Sequence, residues 1–122
     1  MGSPPKHLIL VAGEASGDLH AAHLVAALHR LDPSITFSGL GGPKMRAAGV
    51  HLYHDLTKWA VVGFWEVLKH YRKIRKAFYL ILQKIDEQKV DAVILVDYPG
   101  FNLRLARELK KRNIKIIYYI SP

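Results

Sequence analysis

The chain has 122 residues, half of them hydrophobic and 23% charged, with no cysteine and a formal net charge of +8. That length suits one domain with a real core and is too short for two of ordinary size. The lack of thiols excludes a disulfide framework, a thiolate metal site and a cysteine nucleophile. The positive excess points to an anionic partner, whether nucleic acid, a phosphorylated substrate or an anionic membrane surface.

The opening, MGSPPKHLIL, has no long apolar stretch before a cleavage site, so no signal peptide is read. Lys6 stands where a myristoylation signal needs Ser or Thr. No window approaches the roughly 18 apolar residues of a spanning helix, so the protein is expected to be soluble or peripheral. Residues 1–6 read as a flexible leader, and 7–122 as one domain.

Residues 7–12 (HLILVA) form a short apolar run ended by Gly13, as a buried strand does. From Ser16 to about Leu31 the residues Leu19, Leu24, Ala27, Leu28 and Leu31 fall at helical spacing, and Asp32-Pro33 stops the run. A second strand is predicted over 35–40, then a short helix through Met45 and Ala48 that ends at Gly49, a natural residue for the position after a helix. VHLYH reads as a third strand. Val67, Tyr71, Ile74, Phe78, Ile81 and Ile85 then alternate at spacings of four and three, the apolar stripe of a long helix. VDAVILVD is a continuous apolar run, as in a strand covered on both faces. A helix follows over 101–112 through Leu103, Ala106 and Leu109, and IKIIYYI is a last strand.

Strand and helix alternate throughout. The fold class is therefore α/β, a Rossmann-like parallel sheet of order 3-2-1-4-5 with helices on both faces. Ligands bind such sheets at the carboxyl ends of the strands, near the switch point between strands 1 and 4. Two unusual turns meet there, GEASGD after strand 1 and DYPGFN after strand 4. The final strand would be an uncovered apolar sheet edge, which suggests a piece of a longer chain.

GEASGD is neither a dinucleotide fingerprint nor a P-loop. Gly13 and Gly17 would let the backbone turn sharply and approach a ligand. Ser16 and Asp18 read equally well as a helix cap and a dipole-matched acid in the first turn. Glu14 precedes that cap in the crevice. Carboxylates there repel phosphate and accept hydrogen bonds from hydroxyls, which suggests a sugar-like or polyol ligand. In DYPGFN, Asp97 lies at a strand's carboxyl end, where partial desolvation makes a carboxylate a more capable base. It also reads as a cap or turn-former, and Asn102 as a helix cap or a ligand contact.

Between residues 59 and 76, Trp59, Val61, Val62, Phe64, Trp65 and Leu68 exceed what one core-facing stripe needs. Lys69, Arg72, Lys73, Arg75 and Lys76 stand beside them. Exposed aromatics next to a basic run suit an anionic membrane or an acylated, phosphorylated ligand, and a packed loop with a solvated basic face is the plainer alternative. No RNP-type or KH-type pattern supports RNA binding, so no nucleic-acid partner is expected. The seven histidines show no metal-ligand spacing with an acid, and no metal site is expected. His20 could reach the crevice as a secondary acid or base.

Taken together, LVAGEASGDLHAAHLVAAL, GGPKMRAAGV, WAVVGFWEVL, VDYPGFNLRLARELK and YYISP resemble the lipid-A-disaccharide synthase family in order and spacing, from about His7 to Pro122. The resemblance implies the first part of the N-terminal domain of an inverting, GT-B-type glycosyltransferase that needs no cofactor. Such an enzyme transfers 2,3-diacylglucosamine from its UDP derivative to 2,3-diacylglucosamine 1-phosphate, releasing UDP, at the inner face of the Gram-negative cytoplasmic membrane. It implies a sugar site at Gly13, Glu14, Ser16, Gly17, Asp18 and Asn102, with Asp97 as the base. Trp59, Val62, Phe64, Trp65, Leu68, Lys69, Arg72, Lys73 and Lys76 would meet acyl chains or membrane. Gly100 departs from the family's D-x-P-D-F-N, leaving only the first acid of that motif. A second, UDP-binding domain is expected to lie outside these residues, leaving them inactive alone. The alternative is a non-catalytic module that binds acylated sugar or membrane.

Overall fold

A computed structural model of the protein describes residues 5–59 and 64–119, with their side chains except those of residues 59 and 64–69. The elements run β1 (His7–Ala12), α1 (Ala15–Leu31), β2 (Thr36–Gly41), α2 (Pro43–Ala47), β3 (His51–Asp55), a single 3-10 turn (Leu56–Trp59), α3 (Phe64–Glu87), β4 (Ala92–Val96), α4 (Pro99–Lys111) and β5 (Ile116–Tyr119). The five strands pair in parallel, in the order β3-β2-β1-β4-β5 that the alternating pattern predicts.

Alternation along β1 sends side chains to both faces of the sheet, and each face has its own core. Ile9 and Val11 join Leu40, Val93 and Leu95 beneath Ala77, Ile81 and Ile85 of α3 and Phe101, Leu105 and Leu109 of α4. Leu10 and Ala12 join Phe37, Ile94 and Val96 beneath Ala21 and Val25 of α1 and Met45 of α2. All five residues of β4 are buried, so its unbroken apolar run reflects cover on both sides.

On two helices the most deeply buried face is offset from the one their large apolar residues suggest, although Leu24 and Leu28 of α1 and Ala106 and Leu109 of α4 still pack on the cores. On α1 the buried residues are Gly17, Asp18, Ala21, Ala22 and Val25, at spacings of three and four, while Leu31 is 83% exposed. Small side chains let the helix lie close on the sheet. On α4 the inward face is Phe101, Asn102, Leu105 and Leu109, and Leu103 points outward. In α3 the expected stripe holds from Ile74 through Ile85, but Tyr71 is exposed.

Two glycines are fixed by backbone geometry. Gly39 has φ +150° at a bulge between β2 and β3, and a Cβ there would lie 1.9 Å from the Leu10 carbonyl oxygen. Gly49, with φ +110°, follows α2 in the expected helix-ending role.

Candidate functional site

The register pairs Ala12 of β1 with Val96 of β4, so the turns that start at Gly13 and Asp97 lie side by side at the carboxyl end of the sheet. This is the crevice between adjacent strands whose connections leave toward opposite faces.

In the first turn, Glu14 caps α1 through its backbone. It is extended (φ −128°, ψ 160°), its carbonyl accepts the Asp18 N–H at 2.9 Å, and its side chain makes no capping bond. The helix therefore starts one residue earlier than the sequence suggests. Ser16 lies inside the first turn with its side chain exposed, and is not the cap. The carboxylate of Glu14 is likewise exposed.

Asp18 departs furthest from the reading of the turn as a row of ligand contacts. It is 2% exposed, and its carboxylate accepts the backbone N–H groups of Gly42 (3.0 Å), Lys44 (3.0 Å) and Met45 (2.9 Å). These are donors at the start of α2, left unpaired by the helix itself. Asp18 thus caps a neighbouring helix, and its oxygens are engaged there rather than facing the crevice.

Gly13 is buried and has no positive φ, so conformational freedom does not explain it. Its hydrogen side is covered by the ring of Tyr98, and a Cβ there would come within 2.3 Å of two ring carbons. Gly17 faces Ala12 and Val96, where a Cβ would find ordinary contacts of 3.4 Å or more.

The second turn is strained. Asp97 (φ 51°) and Tyr98 (φ 52°) are both left-handed, a conformation that costs non-glycine residues about 1–3 kcal/mol each. Pro99 at the first position of α4 disfavours a right-handed helical conformation for Tyr98. Asn102, fully buried, holds the turn in place. Its Nδ2 donates to the carbonyl of Asp97 (2.8 Å) and lies within reach of those of Val11 (3.3 Å) and Val96 (3.4 Å). One amide thus ties together the ends of β1 and β4 and the Asp97 peptide, while its Oδ1 has no protein partner. Asn102 is neither the cap of α4, a position that Tyr98 takes, nor exposed for direct contact in this arrangement.

The Tyr118 hydroxyl donates to the same Asp97 carbonyl at 3.3 Å. Burial pushes the Tyr118 phenol above its ordinary pKa, and the Asp97 carboxylate adds to the shift. Burial likewise raises Tyr98, with Glu14 as the second cause. Each crevice acid therefore faces a phenol that stays protonated. The sequence reading missed both tyrosines. The only signal was the Tyr-Pro step, since the cover over Gly13 depends on two strands meeting. Tyr98 also stacks on Phe101 (5.6 Å), which meets Phe78 of α3 edge-on at 5.4 Å. At Gly100 a Cβ would meet nothing within 4 Å, so the position of the missing second acid is open space.

His20 and His23 are exposed on α1. Of the residues read as membrane-facing, Val62 and the side chains of Trp59, Phe64, Trp65, Leu68 and Lys69 lie outside the described residues. Arg72, Lys73 and Lys76 are exposed on α3. Among the described residues no helix is long and apolar enough to cross a membrane.

Over residues 8–122 the chain matches the sequence model of a family described as Lipid-A-disaccharide synthetase. It is 55% identical over 116 residues to Lipid-A-disaccharide synthase 1 of Legionella pneumophila, a match that covers 94% of this chain and 30% of the relative. It is 49% identical to the Lipid-A-disaccharide synthase of Geobacter metallireducens, covering 100% of this chain and 32% of the relative. With the protein of that name from Coxiella burnetii it shares 44% identity over 96% of this chain and 31% of the relative. The chain thus spans about 30% of the length of the curated relatives it matches.

Proposed function

Because the chain belongs to the lipid-A-disaccharide synthase family, we propose that it supplies the acceptor side of a glycosyl transfer in lipid A biosynthesis. The acceptor is 2,3-diacylglucosamine 1-phosphate and the donor is UDP-2,3-diacylglucosamine. An acceptor hydroxyl oxygen attacks the anomeric carbon of the donor, the bond from that carbon to UDP breaks, and the configuration inverts. Asp97 takes the hydroxyl proton, with His20 as the alternative base. Glu14, exposed one turn away, accepts hydrogen bonds from sugar hydroxyls. Ser16 adds a hydroxyl at the mouth of the crevice, and Asn102 serves the site by fixing the Asp97 peptide. The apolar and basic stretch from Trp59 to Lys76 takes the acyl chains and the anionic surface of the cytoplasmic membrane, where the protein sits peripherally on the inner face.

The observation that carries this reading is the strained Asp97–Tyr98 pair, held by Asn102 and Tyr118 at the strand switch point. Backbone strain of this kind concentrates where a side chain must be aimed. The test uses a chain of the relatives' full length that begins with these residues. Asp97→Asn keeps shape and removes the base, and should lower kcat by about 10²–10⁴ with little change in KM. Retention of kcat within threefold or so would assign proton removal elsewhere, and Asn-tolerant binding without any turnover in the parent would favour the non-catalytic module.

A further inference from the structure

Outside the crevice, a groove of about 770 Å³ opens where α3 passes β3, at the sheet edge opposite β5. Its walls include Tyr53 of β3 and Arg72, Arg75, Lys76, Tyr79 and Gln83 of α3. The α3 residues at 72, 75, 76 and 79 follow the spacing of one helical face, separate from the inward face of Ala77, Ile81 and Ile85. No acidic side chain among the described residues lines the groove. Among the described residues, none of the three cations forms an ion pair, although Lys84, Lys111 and Arg112 elsewhere all do. Arg75 is instead held over the Tyr79 ring at 5.6 Å, which orients the guanidinium without neutralising it. The far wall is fixed too, since the Tyr53 hydroxyl donates to Ser38 (3.1 Å) and accepts from Gln88 (2.7 Å).

Three cations converging on one concave site, none paired with an acid among the described residues, form a field that selects an anion. The planar donors of arginine match phosphate oxygens better than a diffuse basic surface does. We propose that the groove between β3 and α3 is a binding site for a phosphate group. The phosphate comes either from an anionic lipid headgroup at the membrane surface or from a soluble phosphate monoester. The proposal deepens the membrane-facing reading of residues 59–76 and rests on it for the first of these sources only.

The test compares two triple variants of the full chain that carry the same net charge. One is Arg72→Gln, Arg75→Gln, Lys76→Gln in the groove; the other is Arg107→Gln, Lys110→Gln, Lys115→Gln, three exposed positions on α4 and just before β5, the strand at the opposite edge of the sheet. Binding is measured to phosphatidylglycerol vesicles, to phosphatidylcholine vesicles, and by titration with glycerol phosphate. The groove triple should weaken binding to the anionic probes by about tenfold or more, and the control triple by less than about threefold. Equal losses in both triples would reduce the effect to overall charge and overturn the site, leaving membrane association intact. Glycerol phosphate binding that the groove triple abolishes, without vesicle binding, would keep the site and remove the membrane reading. Failure of the parent to bind any anionic probe would overturn the proposal.

Discussion

At the scale of single residues, the conspicuous glycines and acids of the first turn divide into different tasks. Gly13 is small because the Tyr98 ring occupies the space of a side chain, whereas Gly17 has room for a methyl group. Gly13→Ala should therefore cost about 1–3 kcal/mol by displacing a packed ring. Gly17→Ala should be neutral or stabilise by up to about 1 kcal/mol, since alanine suits a helix better. Urea denaturation of the two variants checks this contrast. Asp18 gives a second. With three N–H groups resting on its carboxylate, those of Gly42 and Met45 in buried bonds, Asp18→Ala should destabilise the fold by about 1–3 kcal/mol, and Asp18→Asn by less, because one amide oxygen can still accept. A side chain serving only a ligand would leave the unfolding midpoint unmoved in both variants.

At the scale of elements, periodicity located the helices and much of their inward faces, with Leu24, Leu28, Ala106 and Leu109 packed on the cores, but not which leucines would be left outside. A helix with many leucines has more apolar residues than it can bury, and sequence alone does not say which side the sheet will take. On α4 the sheet takes Leu105, fully buried, and leaves Leu103 at 57% exposure. Leu105→Ala should cost about 2–5 kcal/mol and Leu103→Ala less than about 0.5 kcal/mol, as read by thermal or urea unfolding. On α1 the buried residues are Gly17, Asp18, two alanines and Val25, with Leu24 and Leu28 packed beside them, so small size as well as hydrophobicity marks the face. At their far ends α3 and α4 are joined by Arg112, which pairs with Asp86 (2.9 Å) and Glu108 (3.3 Å). The hydrogen bond from Arg112 holds Asp86 below the ordinary carboxylate pKa, and bonds from Lys111 and Arg112 do the same for Glu108. That contribution is present above the ordinary carboxylate range and fades as the pH falls through the lowered folded values.

At the scale of the whole molecule, the crevice lies at the carboxyl end of one sheet, and its turns, GEASGD and DYPGFN, carry neither the dinucleotide nor the P-loop pattern. The chain spans about 30% of its relatives' length. A transfer between two large acylated sugars needs a donor site facing the acceptor site, and the remaining length of the relatives is where we place it. The 122 residues assayed alone with both substrates should give no disaccharide, and turnover should appear only in a chain of the relatives' full length. Disaccharide formed by the short chain would locate both sites within it.

The order of strands and helices, the two-sided cover of β4 and the meeting of two turns at the switch point were all legible in the sequence. They depend on periodicity and on local breakers such as Asp32-Pro33 and Gly49, and those are properties of neighbouring residues. So were the family motifs, which are contiguous. Tertiary structure alone decided that Asp18 caps α2, that Gly13 makes way for Tyr98, that Asn102 anchors the Asp97 peptide, and that three cations of α3 share a groove with β3. Apart from the local bond between Asn102 and Asp97, each of these contacts joins residues far apart in the chain. Parallel pairing of β1 with β4 is what brings Tyr98 over Gly13 and Asn102 to the end of β1.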